Sequence, residues 1–488
     1  MPSRRLRTLA WLSALAAALL LLIPGSEPPL APPPARGGAF TWDRDAFWAS
    51  LEAAFIGARE SGCADVDSAA AHRFATLDGA LRDLATRAVG PADPILDELE
   101  TTYLGLAPLV AACPRQLPEY MDYHRRIRIA VKDQSLRWDM GTTPARSRIY
   151  RALYGARLAS EEVMLHHPDG LSTLAIGREE NSASPAAVVE GVTIRSGDIL
   201  VSRGGYPTSA LIARGNDYPG NFSHIALVYV DPETHAASTI EAHIESGVVV
   251  SSVGQYLDDK KLRILVLRPR SDLPPILADP LLPHRAASAM LARATSSHIP
   301  YDFAMDYRDP SRLFCSEVAS AAYFEYGITL WTGLSTISRP GLRRWLWNFG
   351  VRHFETQEPS DLEFDPQLVV VAEWRDRTML MHDRIDNASI DAMLDGADRG
   401  DILAYRWYEL PLARLAKGYS WLRNRFGRVG PVPEGMTASA ALRNQVFSAR
   451  QARIAASVAS AAKEFEREHG YPAPYWKLLG FAERAAGQ

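Results

Sequence analysis

The chain has 488 residues, of which 47% are hydrophobic and 23% charged, and its formal net charge at pH 7 is −4. This composition is typical of a globular protein and excludes a largely disordered chain or one that crosses a membrane many times. The length predicts two or three hydrophobic cores. The small negative charge, with no basic motif, gives no electrostatic basis for binding nucleic acid, and we expect no such partner.

The first 25 residues have the layout of an export signal. Arginines at positions 4, 5 and 7 precede an apolar run from Leu9 to Ile23, which a Pro-Gly pair ends. The run is shorter than the ~20 residues of a spanning helix, which favours a signal peptide. No small-x-small cleavage site follows, so a signal anchor stays open as the alternative. We therefore expect an exported protein, either periplasmic or anchored to the inner membrane and facing the periplasm.

Composition divides the rest of the chain into four parts. Residues 26–41 are rich in proline and predict an extended linker. Residues 42–190 carry apolar side chains at helical spacing and predict a helical region. Short Val-, Ile- and Leu-rich segments followed by helical ones mark a domain over 191–365. Residues 366–488 begin with a strand-like segment and predict a mostly helical C-terminal region.

Within the 191–365 domain, strands are predicted over 197–203, 223–230, 238–244 and 263–268. Helices are predicted over 285–296 and 313–326. Strands that are followed by helices favour the α+β class with a mainly antiparallel sheet over a doubly wound parallel sheet.

The chain has three cysteines, Cys63, Cys113 and Cys315. Export makes a disulfide chemically possible, and an odd number leaves one thiol unpaired. Because Cys63 and Cys113 share one helical region, we predict that they form the disulfide. Cys315 is then the free thiol and the candidate nucleophile.

Cys315 stands at the start of a predicted helix, where unpaired N–H groups and the helix dipole are expected to lower the pKa of a thiol. The alternative is a small buried hydrophobic residue, which is the commoner role of a lone cysteine. A thiol nucleophile needs a base, and His224 begins a predicted strand beside an irregular loop. The alternative role of His224 is that of a structural histidine.

Glu241 is the candidate third member, because a carboxylate can fix the tautomer of the base. Strand alternation puts Glu241 and His243 on one face and Ile240, Ala242 and Ile244 on the other. The alternative is a glutamate that faces solvent. No HxxxH, HExxH or CxxC spacing occurs among the histidines and Cys315, so we expect no metal site.

The segments GDIL, FSHIALVYV, IEA with GVVVSSV, and PYD before FCSEVASAAY follow one another in this order. Over about 192–328 this series resembles the circularly permuted NlpC-type papain-like cysteine hydrolases, the YiiX-like group. The resemblance implies a permuted papain-like core, with Cys315 and His224 as the catalytic dyad and Glu241 as the polar third member. It also implies that Tyr301 lies near the nucleophile and supports the oxyanion.

The resemblance and the export signal together imply amide hydrolysis in peptides of peptidoglycan through a thioester intermediate, with no cofactor. Two alternatives stay open: a lipid ester or amide hydrolase or acyltransferase similar to the lecithin retinol acyltransferase family, and a non-catalytic envelope binding protein. The polar loop from Arg214 to Phe222 favours a peptide groove. Apolar residues near the site favour an acyl pocket; they are Phe222, Phe303, Met305 and Phe314.

Overall fold

The computed structural model describes residues 30, 33, 38–167 and 172–487. The predicted signal segment over 1–25 lies outside the described residues. Within the described part of the chain, no helix combines the length and the apolar character needed to cross a membrane.

Five long helices follow the linker, as the sequence predicts for this region. Asp93 begins one of them by accepting a hydrogen bond from the Ile95 N–H (3.1 Å), and Pro94 takes its first helical position. Cys63 and Cys113 are joined by a disulfide across two of these helices, with a Cα–Cα distance of 5.5 Å, and this confirms the predicted pairing. The helices are Asp45–Ser61, Cys63–Thr86, Pro94–Ala112, Leu117–Ser135 and Thr143–His166.

Seven strands of the described chain form one antiparallel sheet in the order β1-β11-β8-β4-β5-β6-β7. Each predicted strand segment corresponds to a strand of this sheet, with ends shifted by a few residues. The sheet strands are β1 (Leu174–Ile176), β4 (Ile199–Gly204), β5 (His224–Val230), β6 (Ala237–His243), β7 (Gly247–Ser252), β8 (Lys261–Pro269) and β11 (Leu368–Arg375). Shorter strands pair as β2 (Ala186–Val189) with β3 (Val192–Arg195) and β9 (Ser335–Thr336) with β10 (Glu355–Thr356).

The sheet crosses the domain boundaries that composition suggested. β1 and β2 lie before residue 191, in the region predicted to be helical, and β11 lies after residue 365. β11 pairs with β8 and β1, so the strand that opens the predicted C-terminal region is an inner strand of the main sheet. The remaining helices are Pro207–Arg214, Val253–Asp258, Pro274–Ala278, Leu282–Ser296, Cys315–Phe324, Pro340–Phe349, Asp361–Phe364, Arg377–Asp398, Leu410–Asn424, Ala438–His469 and Tyr475–Ala486.

The two faces of the sheet belong to different apolar clusters. Ile225 and Ile240 lie in the large core cluster, and the helix Cys315–Phe324, called the Cys315 helix below, packs on this face against β5 and β6. Ala226 and Val228 lie in a smaller cluster with Tyr256 on the opposite face. The structure is therefore a mixed α+β fold, as predicted, with helices flanking an antiparallel sheet.

Candidate functional site

Cys315 is the first residue of its helix and is buried. The turn before it is fixed by Glu317, whose Oε2 accepts the Phe314 N–H at 3.0 Å. The Cys315 thiol donates to the backbone carbonyl of Ser223, with Sγ and O 3.8 Å apart. Ser223 directly precedes His224, so the thiol lies against the beginning of β5.

His224 is held by Glu241 across two neighbouring strands. Their Nε2 and Oε2 atoms are 2.7 Å apart. His243 lies on the same side of the carboxylate, with its Nε2 3.1 Å from the same oxygen, and the Thr239 hydroxyl donates to the other oxygen at 3.1 Å. Ile240 and Ala242 point into the core on the other face, which confirms the predicted alternation.

The charges around Glu241 fix the tautomer of His224. Burial opposes ionisation of Glu241, but hydrogen bonds from His224 and His243 hold the pKa of this carboxyl well below its usual range. Burial lowers the pKa of His224, with Glu241 acting in the opposite direction. A neutral imidazole facing a carboxylate must carry its proton on Nε2, so Nδ1 holds the lone pair that a base needs.

Cys315 and His224 meet at one strand end but are not hydrogen-bonded to each other among the residues that the structure describes. The hydrogen bond of the thiol goes to the Ser223 carbonyl. The Cys315 helix packs on the Ile225 face of the sheet, whereas His224 and Glu241 lie on the Ala226 face, so proton transfer between Sγ and the imidazole requires the two groups to move towards each other. Such tightening on substrate binding is common, since catalytic hydrogen bonds are often long in ligand-free structures.

The pKa of Cys315 moves in the direction opposite to the one predicted from its helix position. Burial and, after it, the charge of Glu358 raise the pKa of the Cys315 thiol to about 12. Hydrogen bonds from Ser316 oppose this shift without overcoming it. Burial also raises the pKa of Glu358 well above its usual range. Loss of water around the sulfur is thus the main reason for a protonated thiol.

Tyr301 lies beside Cys315, as the resemblance implies. It forms a bridge with Leu313, two residues before Cys315. Burial raises the pKa of Tyr301 well above its usual range, and the charge of the Cys315 thiolate acts in the same direction. The Tyr301 hydroxyl therefore keeps its proton and is a hydrogen-bond donor next to the sulfur.

An apolar cavity adjoins Cys315 and Tyr301. Of the four apolar residues named from the sequence, Phe303, Met305 and Phe314 line it, whereas Phe222 is buried in the main core and does not. Further lining side chains come from helices and loops distant in the sequence; they are Leu211, Ile337, Leu346, Phe349, Val351 and Met436.

The polar loop before His224 does not flank an open groove. Asn216, Asp217 and Asn221 are buried. The carboxylate of Asp217 accepts hydrogen bonds from the Thr336 hydroxyl (2.5 Å) and the Ser338 N–H (3.0 Å). The prediction that this loop borders a peptide groove is therefore wrong, because these polar side chains are buried and Asp217 binds another segment of the same chain.

Sequence reasoning missed the roles of three residues at the site. His243 was placed on the correct face, but its bond to Glu241 was not foreseen, although the E-x-H spacing on a strand was a usable signal. Glu317 lies two residues after Cys315, where local helix capping points to it. Glu358 comes from a segment 43 residues beyond Cys315, and no local pattern connects the two.

His224, Glu241 and His243 also form a set of three groups able to hold a metal ion, with one ligand atom of each within 4.8 Å of the others. Imidazole and carboxylate are ligands that zinc accepts. The distances of 2.7 and 3.1 Å between these atoms are those of hydrogen bonds. In this arrangement the carboxylate orients His224 through a hydrogen bond.

Comparison with models of protein families, with curated proteins and with solved structures finds no match to this chain.

Proposed function

We propose that this protein is a cysteine-dependent acyl hydrolase with a permuted papain-like core, acting on an ester or amide of an apolar acyl group. The observation that carries the proposal is the His224–Glu241 hydrogen bond of 2.7 Å at the strand end against which the Cys315 thiol lies. The bond leaves Nδ1 of a neutral imidazole with a free lone pair, and the residue before His224 accepts the hydrogen bond of Cys315, the only cysteine that is not in the disulfide.

The chemistry follows from these groups. His224 Nδ1 takes the proton of Cys315 as the sulfur attacks the carbonyl carbon, and the C=O electron pair moves onto the oxygen. The Ser316 N–H at the helix start and the Tyr301 hydroxyl are the donors for this oxyanion. The C–O or C–N bond then breaks, and the leaving group takes the proton from His224. Water, deprotonated by His224, cleaves the thioester and releases the acid and the thiol.

A protonated thiol in the resting enzyme suits this order of events. With a pKa of about 12, Cys315 loses its proton in the step that forms the carbon–sulfur bond and not before it. A neutral His224, with its pKa lowered by burial, is ready to accept that proton at pH 7. His224 then acts as a general base, and we expect it to raise the rate of the reaction by a factor of about 10²–10⁴.

The character of the cavity supports an acyl substrate. Aromatic and aliphatic side chains surround Cys315, and acyl chains require such dry walls. A branched, charged peptide of peptidoglycan requires an open polar surface, and the polar loop that was expected to supply one is buried. Hydrolysis of cell-wall amides is therefore the second candidate, resting on the sequence resemblance and the export signal.

The test compares the wild-type protein with Cys315→Ala and His224→Ala. Each is incubated with acyl esters, with monoacyl phospholipids and with purified peptidoglycan. We expect fatty acid release that Cys315→Ala abolishes and His224→Ala lowers by about 10²–10⁴-fold. New amino termini from peptidoglycan, without fatty acid release, would replace the proposal with the second candidate. A folded wild-type protein with neither activity would favour the envelope binding protein.

A further inference from the structure

A stripe of apolar side chains faces outward along the helix Leu410–Asn424, called the surface helix below. Leu412, Leu415, Tyr419 and Leu422 are 72, 62, 52 and 49% exposed. Their spacing of three or four residues puts them on one face of the helix. Scattered exposed leucines are ordinary on protein surfaces, but a continuous apolar face is typical of an interaction site.

The opposite face of the surface helix is bound to the protein. Leu410 and Ala413 pack against Ala438 and Leu442. The Ser420 hydroxyl oxygen accepts the Val432 N–H at 2.9 Å. These contacts orient the helix, so the apolar stripe points away from the rest of the described chain.

Exposed aromatic side chains lie near both ends of the surface helix. Trp407 and Tyr408 precede it, Trp421 lies in its last turn and Phe426 follows it, and all four are exposed. Tryptophan and tyrosine favour the boundary between lipid headgroups and acyl chains, where an apolar ring and a polar tip are both accommodated. The composition of the exposed face is thus that of an interfacial helix.

Charge identifies the kind of surface that fits. Between residues 402 and 429 the chain has six basic residues and one acidic residue, Glu409, although the whole chain has a net charge of −4. Basic residues beside an apolar helical face are attracted to anionic lipids. Lys417 is one of the six, but it donates to the carbonyls of Pro433 and Glu434. The other five basic residues are Arg406, Arg414, Arg423, Arg425 and Arg428.

We propose that residues 402–429 dock on the anionic surface of a lipid bilayer, with the surface helix lying in the plane of the interface. This site is separate from the apolar run near the N-terminus. Ala416 of the surface helix packs in one cluster with Met436 and Phe303, which also line the cavity beside Cys315. Docking therefore brings the bilayer close to that cavity, but the docking itself does not depend on the chemistry of Cys315.

The test places an environment-sensitive fluorophore on the stripe of the full chain. In a Cys315→Ser background, Leu415→Cys carries the label, and Val188→Cys, an exposed apolar position on β2, is the matched control. When vesicles of phosphatidylcholine and phosphatidylglycerol are added, we expect the fluorescence emission of the label at position 415 to shift to the blue. The emission of the label at position 188 should not shift. Because Cys315 is absent, a failure of the proposed hydrolase does not affect this result, and a failure here does not affect the hydrolase.

Charge reversal tests the choice of partner. With the label at 415, Arg406→Glu/Arg425→Glu/Arg428→Glu is expected to raise the lipid concentration at half-maximal shift at least about tenfold. The control Arg82→Glu/Arg115→Glu/Arg467→Glu makes the same change in net charge on other helices. It should not change the lipid concentration at half-maximal shift. High salt should weaken docking as the reversal does. The proposal would be overturned by an unshifted label at 415 or by an equal shift with neutral vesicles. It would also be overturned by a shift that appears without vesicles and grows with protein concentration, which would assign the stripe to a second copy of the chain.

Discussion

At the scale of single residues, two effects act in opposite directions on the Cys315 thiol. The helix start and the Ser316 hydrogen bonds favour a thiolate, whereas removal of water disfavours it, and burial is the larger effect. The neighbouring Glu358 is buried as well, and burial raises the pKa of its carboxyl. In the proposed mechanism, the proton therefore leaves Cys315 during the attack on the carbonyl, and no thiolate forms beforehand.

The alkylation of Cys315 by iodoacetamide tests this balance. With a thiol pKa of about 12, the thiolate fraction and hence the rate should rise about tenfold for each pH unit between pH 7 and 10. Mass spectrometry of the labelled peptide gives the rate, and Cys315→Ala is the blank, since Cys63 and Cys113 are bonded to each other. A rate that is already constant from pH 6 would show a preformed thiolate.

Glu317 predicts a dependence of stability on pH. Burial raises its pKa to about 9, so the folded chain keeps this proton over a range in which the unfolded chain has released it. The stabilisation from Glu317 is therefore complete below about pH 4.5 and is lost as the pH rises towards 9. Glu317→Gln removes this loss, so its melting temperature relative to wild type should increase between pH 5 and 9.

The control for that experiment is Glu325→Gln, which changes an exposed glutamate just after the same helix. Its melting temperature should follow that of the wild type across the pH range. If Glu317→Gln also followed the wild type, the carboxyl would not be held protonated in the folded state.

At the scale of elements, the disulfide fixes the N-terminal helices to one another. It joins the first residue of Cys63–Thr86 to the residue that ends Pro94–Ala112, and the two cysteines are 50 residues apart in the chain. A crosslink of this span restricts the unfolded chain more than it changes the folded one. It thereby holds a helical region that packs on the sheet but provides none of the predicted site residues.

Cys63→Ser/Cys113→Ser is expected to lower the free energy of unfolding by about 4 kcal/mol, from the loop-closure entropy of a span of this length. Urea unfolding followed by circular dichroism measures the change. Cys315→Ala is the matched control, since it removes a thiol without opening a loop. A loss below about 1 kcal/mol would mean that the helices are held by packing alone.

At the scale of the whole molecule, a buried network of charges joins the N-terminal helices, the sheet and the C-terminal region. Arg157 donates to Glu363 at 2.7 Å and also pairs with Glu373 on β11. Arg263 on β8 pairs with Asp383 of the helix Arg377–Asp398 at 2.5 Å. Because Arg157 also lies over the ring of Phe222, two residues before His224, the network supports the strand end at which the site lies.

Removing Arg157 should therefore destabilise the chain strongly. Arg157→Met leaves the buried Glu363 carboxylate without its guanidinium partner and leaves Glu373 with only the longer pairs to Arg128 and Arg375. A loss of about 3–5 kcal/mol in unfolding free energy is expected. Adding Glu363→Gln and Glu373→Gln to the Arg157→Met chain should restore part of the lost unfolding free energy. Arg467→Met, at an exposed pair with Glu464, is the control and should change little.

Local patterns predicted much of this protein. Strand alternation placed Glu241 on the same face as His243 and away from Ile240, and the apolar periodicity located the Cys315 helix to within two residues. Shared location in a helical region was enough to pair Cys63 with Cys113. These predictions succeed because the backbone geometry of a strand or helix fixes the direction of neighbouring side chains whatever the rest of the fold does.

The tertiary structure decided what depends on residues far apart in the sequence. It put β11 inside the sheet, buried the polar loop around Asp217, and brought Glu358 and Met436 to the cavity beside Cys315. The sequence determined which residues carry the proposed chemistry, whereas burial determined their protonation and the apolar character of their surroundings. Loss of water depends on every segment packed around a group, and no local pattern records which segments those are.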